Sequence, residues 1–421
     1  MERYWVALLC GLLLSGLAAA EPVERRQDPF GGDFGYYVYP IASEVPGIGS
    51  AAGIGASVIN MAGGDTDFTG FYIQGDFEAT GITLLDYHLI PRRLVFDVGY
   101  YNFSVAATSY DRGINSDPDD VIYPTAEGVY GLGQLTLTFD QRRYEFYVRG
   151  LTGRQRVLSV TDADGKAFEG VDTDWNRGHH ILLGAALDFT DDRLDPRKGM
   201  RLEFSSRLPS NEDALISEYF VNDYNFTSYV PMRRWDTLAF NVFHSRAHIS
   251  RKGITDYAQL QQRYGLNCGQ YSAGPEFDAC DRAESKYLGG VLDNNRYGTA
   301  SSLGGTQRLR SFDNGRFYAG QALFYGAEYR WNLTDERTPF DIFIAKGVRT
   351  GIQLAAFWER GMVADNFSDL WQDHRTSYGI GARLILSGVI VRFDLVDGDE
   401  GFLTQLFITY PWSMFSVDDP S

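Results

Sequence analysis

From residue 50 onward, apolar and polar positions alternate with period 2 in segments of roughly ten to fifteen residues. Met200, Leu202, Phe204 and Leu208 alternate with Arg201, Glu203, Ser205 and Arg207. Ile181, Leu183, Ala185, Leu187 and Phe189 alternate with His180, Gly184, Ala186, Asp188 and Thr190, and Val389, Val391, Phe393 and Leu395 alternate with Arg392 and Asp394. Such alternation marks strands with two unlike faces. Strands are expected near 50–61, 67–89, 93–107, 127–140, 143–159, 179–190, 199–208, 216–230, 236–249, 318–333, 348–361, 377–386, 389–397 and 402–412. That makes fourteen, and a hairpin hidden in 251–300 would bring the number to sixteen; single-chain outer-membrane barrels have even numbers.

The polar face carries too much charge for a globular core, and little helical pattern exists to cover the apolar face. In a soluble sandwich a second layer covers that face; in an outer-membrane barrel it meets lipid while the polar, Gly-rich face lines the lumen. Short connectors (91–93, 141–143, 231–234, 386–388) alternate with long polar loops (109–126, 160–178, 251–316, 362–376), the periplasmic and extracellular asymmetry of such barrels. Trp331, Tyr410, Trp412 and Tyr229 lie near strand ends, where interface aromatics belong. The expected fold is therefore all-β: a transmembrane antiparallel outer-membrane barrel of 14–16 strands. A secreted soluble β-protein is the alternative.

Composition sharpens this. The 421 residues are 44% hydrophobic and 14% aromatic, too apolar for disorder. The mean hydropathy of −0.25, with no long apolar run after residue 20, excludes helical spans. Asp+Glu 55 against Lys+Arg 38 gives −17, which disfavours nucleic acid. Met1 to Ala20 reads as a Sec signal peptide ending in an A-x-A site, which places the mature chain outside the cytoplasm. Residues 21–49 are expected to be a periplasmic leader, either disordered, a lumen plug or a dock for a periplasmic partner. Residues 50–412 are expected to form the barrel and 413–421 a tail. Cys268 and Cys280, close together in a polar segment of an exported chain, suggest a disulfide.

Three motifs stand in order along residues 180–412. Gly304-Gly305 lead to Arg310-Ser311-Phe312 and then to Glu328-Tyr329-Arg330; Asp191, Arg193, Pro196 and Gly199 form D-x-R-x-x-P-x-x-G; Gly379-Ile380-Gly381 and Arg392-Phe393-Asp394 follow near the end. Together they resemble the Omp85 superfamily of bacterial surface-antigen barrels (BamA/TamA-like), whose loop motif is (V/L)-R-G-(F/Y); here Ser311 replaces the Gly. The resemblance implies sixteen strands and a long extracellular loop folded into the lumen, its motif arginine packed against acids. Arg310 is accordingly expected to pair with Glu359 or Asp394, or both, with Glu328 and Arg392 nearby. Gly379 and Gly381, on one strand face, leave room for the loop backbone. The periplasmic turn is assigned to Asp191, Arg193, Pro196 and Gly199. The stretch 21–49 is too short for a POTRA module, so a POTRA-less, short member is expected.

The resemblance further implies a role in insertion or translocation of protein or lipid at the outer membrane of a Gram-negative bacterium, using a weakly paired seam between first and last strands. The alternative is a loop-gated channel or structural barrel. No nucleophile–base–orienter set is legible among His88, His179, His180, His244, His248 and His374, so no enzyme, cofactor or metal is expected. The acidic run Asp117-Pro118-Asp119-Asp120 reads as a solvated loop. Expected partners are outer-membrane lipid and a periplasmic protein; the sequence leaves the oligomeric state open.

Overall fold

The computed structural model describes residues 23–412 except 31–32, 163–173, 210–214, 234, 335–339, 343–344, 349, 387–388 and 409; the expected signal peptide and C-terminal tail lie outside the described residues. Eighteen strands join one antiparallel sheet: β1 Gly35–Val45, β2 Gly49–Met61, β3 Thr66–Gly75, β4 Glu78–Ile90, β5 Leu94–Ala106, β6 Ile122–Phe139, β7 Tyr144–Asp162, β8 Asn176–Asp188, β9 Gly199–Pro209, β10 Glu218–Pro231, β11 Thr237–Arg251, β12 Gln321–Asn332, β13 Phe340–Ile342, β14 Ala345–Val348, β15 Thr350–Ala364, β16 Arg375–Leu386, β17 Val389–Gly398 and β18 Gly401–Ile408. β12 pairs directly with β15, so the short hairpin β13–β14 stands outside the wall. The other sixteen strands close a barrel. Among the described residues its last junction, β18 to β1, shows one residue pair, Glu44↔Leu406, whereas β1 and β2 pair continuously from Gly35↔Ile59 to Val45↔Gly49. β14 also pairs with the start of β1 at Tyr36↔Lys346 and Tyr37↔Ala345.

The alternation expected from sequence runs through the wall, with the usual sense inverted. On β7, Phe146 and Val148 are 52% and 50% exposed, while their neighbours Glu145 and Tyr147 are 1% and 4% exposed. Ile181, Leu183, Phe240, Val242, Leu354, Ile380 and Phe393 likewise face outward. An outward apolar belt over a polar interior is what a lipid-facing barrel requires. Inside, rings lie flat over cross-strand glycines: Phe71 covers Gly81 and Tyr147 covers Gly184, leaving no space for a Cβ.

Four expectations change. The two strands beyond fourteen do not come from 251–300. One is β1, whose residues were read as leader; the other arises because 67–89 is two strands, β3 and β4, joined through Asp76-Phe77. Residues 251–300 instead hold two helices, α1 Tyr257–Tyr264 and α2 Pro275–Tyr297. Asp256 caps α1 through hydrogen bonds from the Ala258 and Gln259 amides, and Pro275 opens α2. Cys268 and Cys280 form a disulfide beside the N-terminal half of α2. Finally, of the four aromatics assigned to the membrane interface, only Trp331 faces outward. Tyr229, Tyr410 and Trp412 are buried, because Tyr229 is on the inward phase of β10 and the chain after β18 turns into the lumen.

Candidate functional site: the loop lock and the turn-end slot

The loop after α2 enters the lumen as a compact tongue. Leu303 bridges Phe317, the Gly305 amide donates to the Phe312 carbonyl, and Phe312 packs edge-on against Phe317 at 4.9 Å. Gly304 and Gly305 have φ of +108° and +96°, a left-handed backbone that favours glycine, and a Cβ on either would meet the return strand of the loop. Leu303, Leu309, Phe312 and Phe317 form one apolar cluster with Phe243 and Phe324 from the wall and Trp412 from the chain after β18.

Arg310 sits at the tip, fully buried. Its Nε donates to Glu359 Oε1 at 2.8 Å, Nη1 to Asp394 Oδ2 at 2.9 Å and Nη2 to Glu328 Oε2 at 3.1 Å. Its backbone amide donates to Glu359 Oε2 at 2.9 Å, and the guanidinium lies 3.3 Å from the Phe357 ring centroid. The structure thus brings Arg310 to both expected acids and to Glu328 as well. A planar fork with five donors can serve three carboxylates at once, which an ammonium cannot.

The acids are shared. Glu328 also accepts from Arg330 Nε and Arg383 Nη2, each at 2.8 Å. Asp394 is 3.3 Å from Arg392 Nε and 3.5 Å from Arg383 Nη1. Arg392 donates in addition to the Thr306 carbonyl, and Gln405 Nε2 to the Arg310 carbonyl at 2.5 Å, so wall side chains also grip the loop backbone. Gly381 makes room for the Asp394 carboxylate and Gly379 for the Phe357 ring. The glycines therefore admit wall side chains, which in turn hold the loop.

Ser311, where the motif has Gly, is not at positive φ. Its amide donates to Ser377 Oγ at 3.0 Å and its side chain fills the space over Gly398. The sequence reading missed Arg316, a second buried arginine: Nε and Nη2 donate to Glu400 at 3.0 and 2.8 Å, and Nη1 to Ser116 Oγ at 2.6 Å. A lone charge inside Arg316-Phe317-Tyr318 was the available signal.

The second assembly lies at the short-turn rim, between β8 and β9. Asp191 Oδ1 accepts the amides of Arg197 and Lys198, Asp192 Oδ1 accepts those of Leu194 and Asp195, and Gly199 has φ +107°. Pro196 is buried in the bend and Arg193 donates to Glu145 Oε2 at 2.5 Å. This turn forms a slot for residues 23–30. Arg25 Nη1 donates to Asp188 Oδ2 at 3.2 Å, and its Nη2 to the carbonyls of Gln141 and Asp188. Arg26 Nε donates to Asp191 Oδ2 at 2.7 Å and lies within 3.4 and 3.5 Å of Asp192 and Asp195. Phe30 is buried between Arg92 and Arg142, edge-on to His88. Burial pushes the Asp195 carboxyl up, but Arg197 and Arg26 outweigh it and hold it below the ordinary carboxylate range.

Beside the turn, at Arg193, a polar cavity of about 130 Å³ is lined by Asp86, Asp97, Gln134, Arg142 and Glu145, among others.

The sequence matches no established family profile and no curated protein. Solved structures do match in fold. CdiB from Escherichia coli aligns with a TM-score of 0.51 at 9% identity, over 89% of this chain and 62% of that one. CdiB from Acinetobacter baumannii aligns at 0.48 and 10% identity, over 89% and 59%. BamA from Haemophilus ducreyi lacking POTRA domains 1–3 aligns at 0.47 and 12%, over 90% and 70%. This chain thus spans less than two thirds of either CdiB chain, and what it shares with the first of them is the architecture of the barrel.

Proposed function

We propose that this chain is an integral outer-membrane barrel of the Omp85 type that helps insert or translocate protein or lipid, opening at the junction of its first and last strands. The observation that carries the reading is that junction. Among the described residues one pair, Glu44↔Leu406, joins β18 to β1 in a wall whose other neighbours run in long ladders. An open strand edge in lipid leaves backbone groups unsatisfied at several kcal/mol each, so a seam this short is a place where another strand or a lipid can pair or pass. The order of the three motifs and the likeness in fold to CdiB support the same reading. Membrane lipid and a periplasmic protein are its proposed partners, with the long loops extracellular and the short turns periplasmic; no catalytic role is proposed.

The test is a reversible lock. Glu44→Cys with Leu406→Cys, oxidised in the membrane, should abolish insertion of a reporter barrel into liposomes or deplete other outer-membrane proteins in cells, and reduction should restore both. Full activity in the oxidised state would overturn the reading. The alternative, a loop-gated channel, makes the opposite demand: Arg310→Ala should open large stable conductances in planar bilayers whether or not the seam is cross-linked.

A further inference from the structure

The turn-end slot is lined by carboxylates where residues 25 and 26 enter it. Four carboxylates converge there: Asp188, Asp191, Asp192 and Asp195, all buried. Two arginines of the same β8–β9 unit enter the slot: Arg201 Nη2 reaches Asp188 at 3.1 Å and Arg197 Nη2 reaches Asp195 at 2.9 Å. Arg193 of the same turn is engaged with Glu145. Cations from a separate stretch of chain reach the same acids: Arg25 meets Asp188, and Arg26 meets Asp191 and lies near Asp192 and Asp195. Recognition also has a main-chain component. The Arg26 amide donates to the Asp191 carbonyl at 2.6 Å, and Arg143 Nη2 donates to the Val23 carbonyl at 2.6 Å. Phe30 then fills an arginine-lined pocket four residues on, with Asp28 paired to Arg92 at 2.8 Å. Backbone hydrogen bonds, two charged pockets and one aromatic pocket are the parts of a peptide-binding site.

We propose that this slot is a receptor for an extended dibasic peptide segment with an aromatic residue four or five positions after the arginines. The chain's own residues 23–30 occupy it at rest, and an equivalent segment of a protein partner can take their place. Because residues 23–30 are tethered, they compete as an intramolecular ligand, at an effective concentration in the millimolar range for a short linker. A partner in trans is therefore excluded until it is abundant, itself tethered nearby, or the leader is withdrawn. The proposal concerns the slot alone and does not depend on the insertase reading.

The experiment uses the full chain in detergent and a fluorescein-labelled peptide of sequence Val23–Phe30. With Arg25→Ala/Arg26→Ala in the protein, the peptide should bind saturably and at least tenfold more tightly than to the unsubstituted chain. The same peptide with both arginines replaced by alanine should bind at least tenfold more weakly. Equal binding to both proteins, or equal binding of both peptides, overturns the proposal. Should the doubly substituted chain not fold, Glu24→Cys in the otherwise unchanged chain, carrying an environment-sensitive dye, gives an independent readout. Excess arginine peptide should shift its emission as the leader leaves the slot, and the alanine peptide should not; no shift with either peptide also overturns it. The liposome insertion assay reads the seam and this assay reads the slot, so the two readings fail separately.

Discussion

Removing Arg310 should damage one of its three carboxylate partners far more than the others. Around the lock, four arginines (310, 330, 383, 392) face three acids (328, 359, 394), all buried. Without Arg310, Glu328 keeps Arg330 and Arg383, and Asp394 keeps Arg392 and Arg383. Among the described residues Glu359 keeps neutral donors alone, the residue-310 amide and Trp412 Nε1 at 3.1 Å. A buried charge stripped of its partner costs about 3–5 kcal/mol, and the lost stacking on Phe357 adds up to about 2 kcal/mol. Arg310→Met, which retains apolar volume, is therefore expected to lose about 3–7 kcal/mol. Adding Glu359→Gln should recover about 2–3 kcal/mol of that as a coupling energy, whereas adding Glu328→Gln should recover about 1 kcal/mol or less. The assay is urea unfolding from detergent micelles followed by Trp fluorescence, read as a double-mutant cycle. A coupling to Glu328 equal to or larger than that to Glu359 would refute the assignment of Glu359 as the dependent acid.

Other outcomes follow from the same geometry. Gly381→Ala drives a Cβ into the Asp394 carboxylate and should destabilise the folded barrel by about 1–3 kcal/mol in the same unfolding assay. Ser311→Gly should be tolerated within about 1 kcal/mol, since the position is not left-handed and the only loss is contact over Gly398. Reducing Cys268–Cys280 releases a short loop beside α2; proteolysis should then reach residues 257–297 while the barrel's unfolding midpoint stays unchanged. The Asp195 carboxyl is held below its unfolded value, so its contribution is complete above pH ~4 and is lost as pH falls through the folded value. A dye at position 24 should report leader release on that acid limb, and Asp195→Asn should weaken the limb, with Asp188 and Asp191 still holding the two arginines.

The wall was legible because lipid inverts the usual rule without erasing the period: Phe146 and Val148 still alternate with Glu145 and Tyr147. β1 was hidden for two physical reasons. Its inward positions are Tyr37, Tyr39 and Ile41, so both faces read as apolar or small, and it contains Pro40. Proline is confined to edge strands, and β1, which on one side meets β18 at one pair and β14 at two among the described residues, is nearly an edge. Asp76-Phe77 escaped notice because a two-residue turn does not interrupt the alternation of β3 and β4. The helices in 251–300 carried their own signals, Asp256 before α1 and Pro275 at the start of α2, in a segment with no period of 2. The lock was legible as Arg310 against inward acids. The slot was not, because nothing in Arg25-Arg26 says that the acids awaiting it lie more than 160 residues away.

The chain after β18 ties the seam to both assemblies. Trp412 donates to Glu359 in the lock and its carbonyl accepts from Asn225, while the Tyr410 hydroxyl donates to Asp195 in the slot at 2.8 Å. These residues follow directly on the strand that meets β1 at Glu44↔Leu406. Movement of β18 away from β1 therefore withdraws a donor from Glu359 and another from Asp195, and by linkage anything that holds those two acids in place resists opening. Trp412→Phe keeps an aromatic ring in place and removes the Nε1 donor together with the volume of the five-membered ring, so the readout of the coupling is the seam and not stability alone. It should lower stability by about 1–3 kcal/mol and slow oxidation of the Glu44→Cys/Leu406→Cys pair, as β18 spends more time away from β1. Unchanged oxidation kinetics at reduced stability would mean that the C-terminal segment only fills space and that the seam opens independently of the lock.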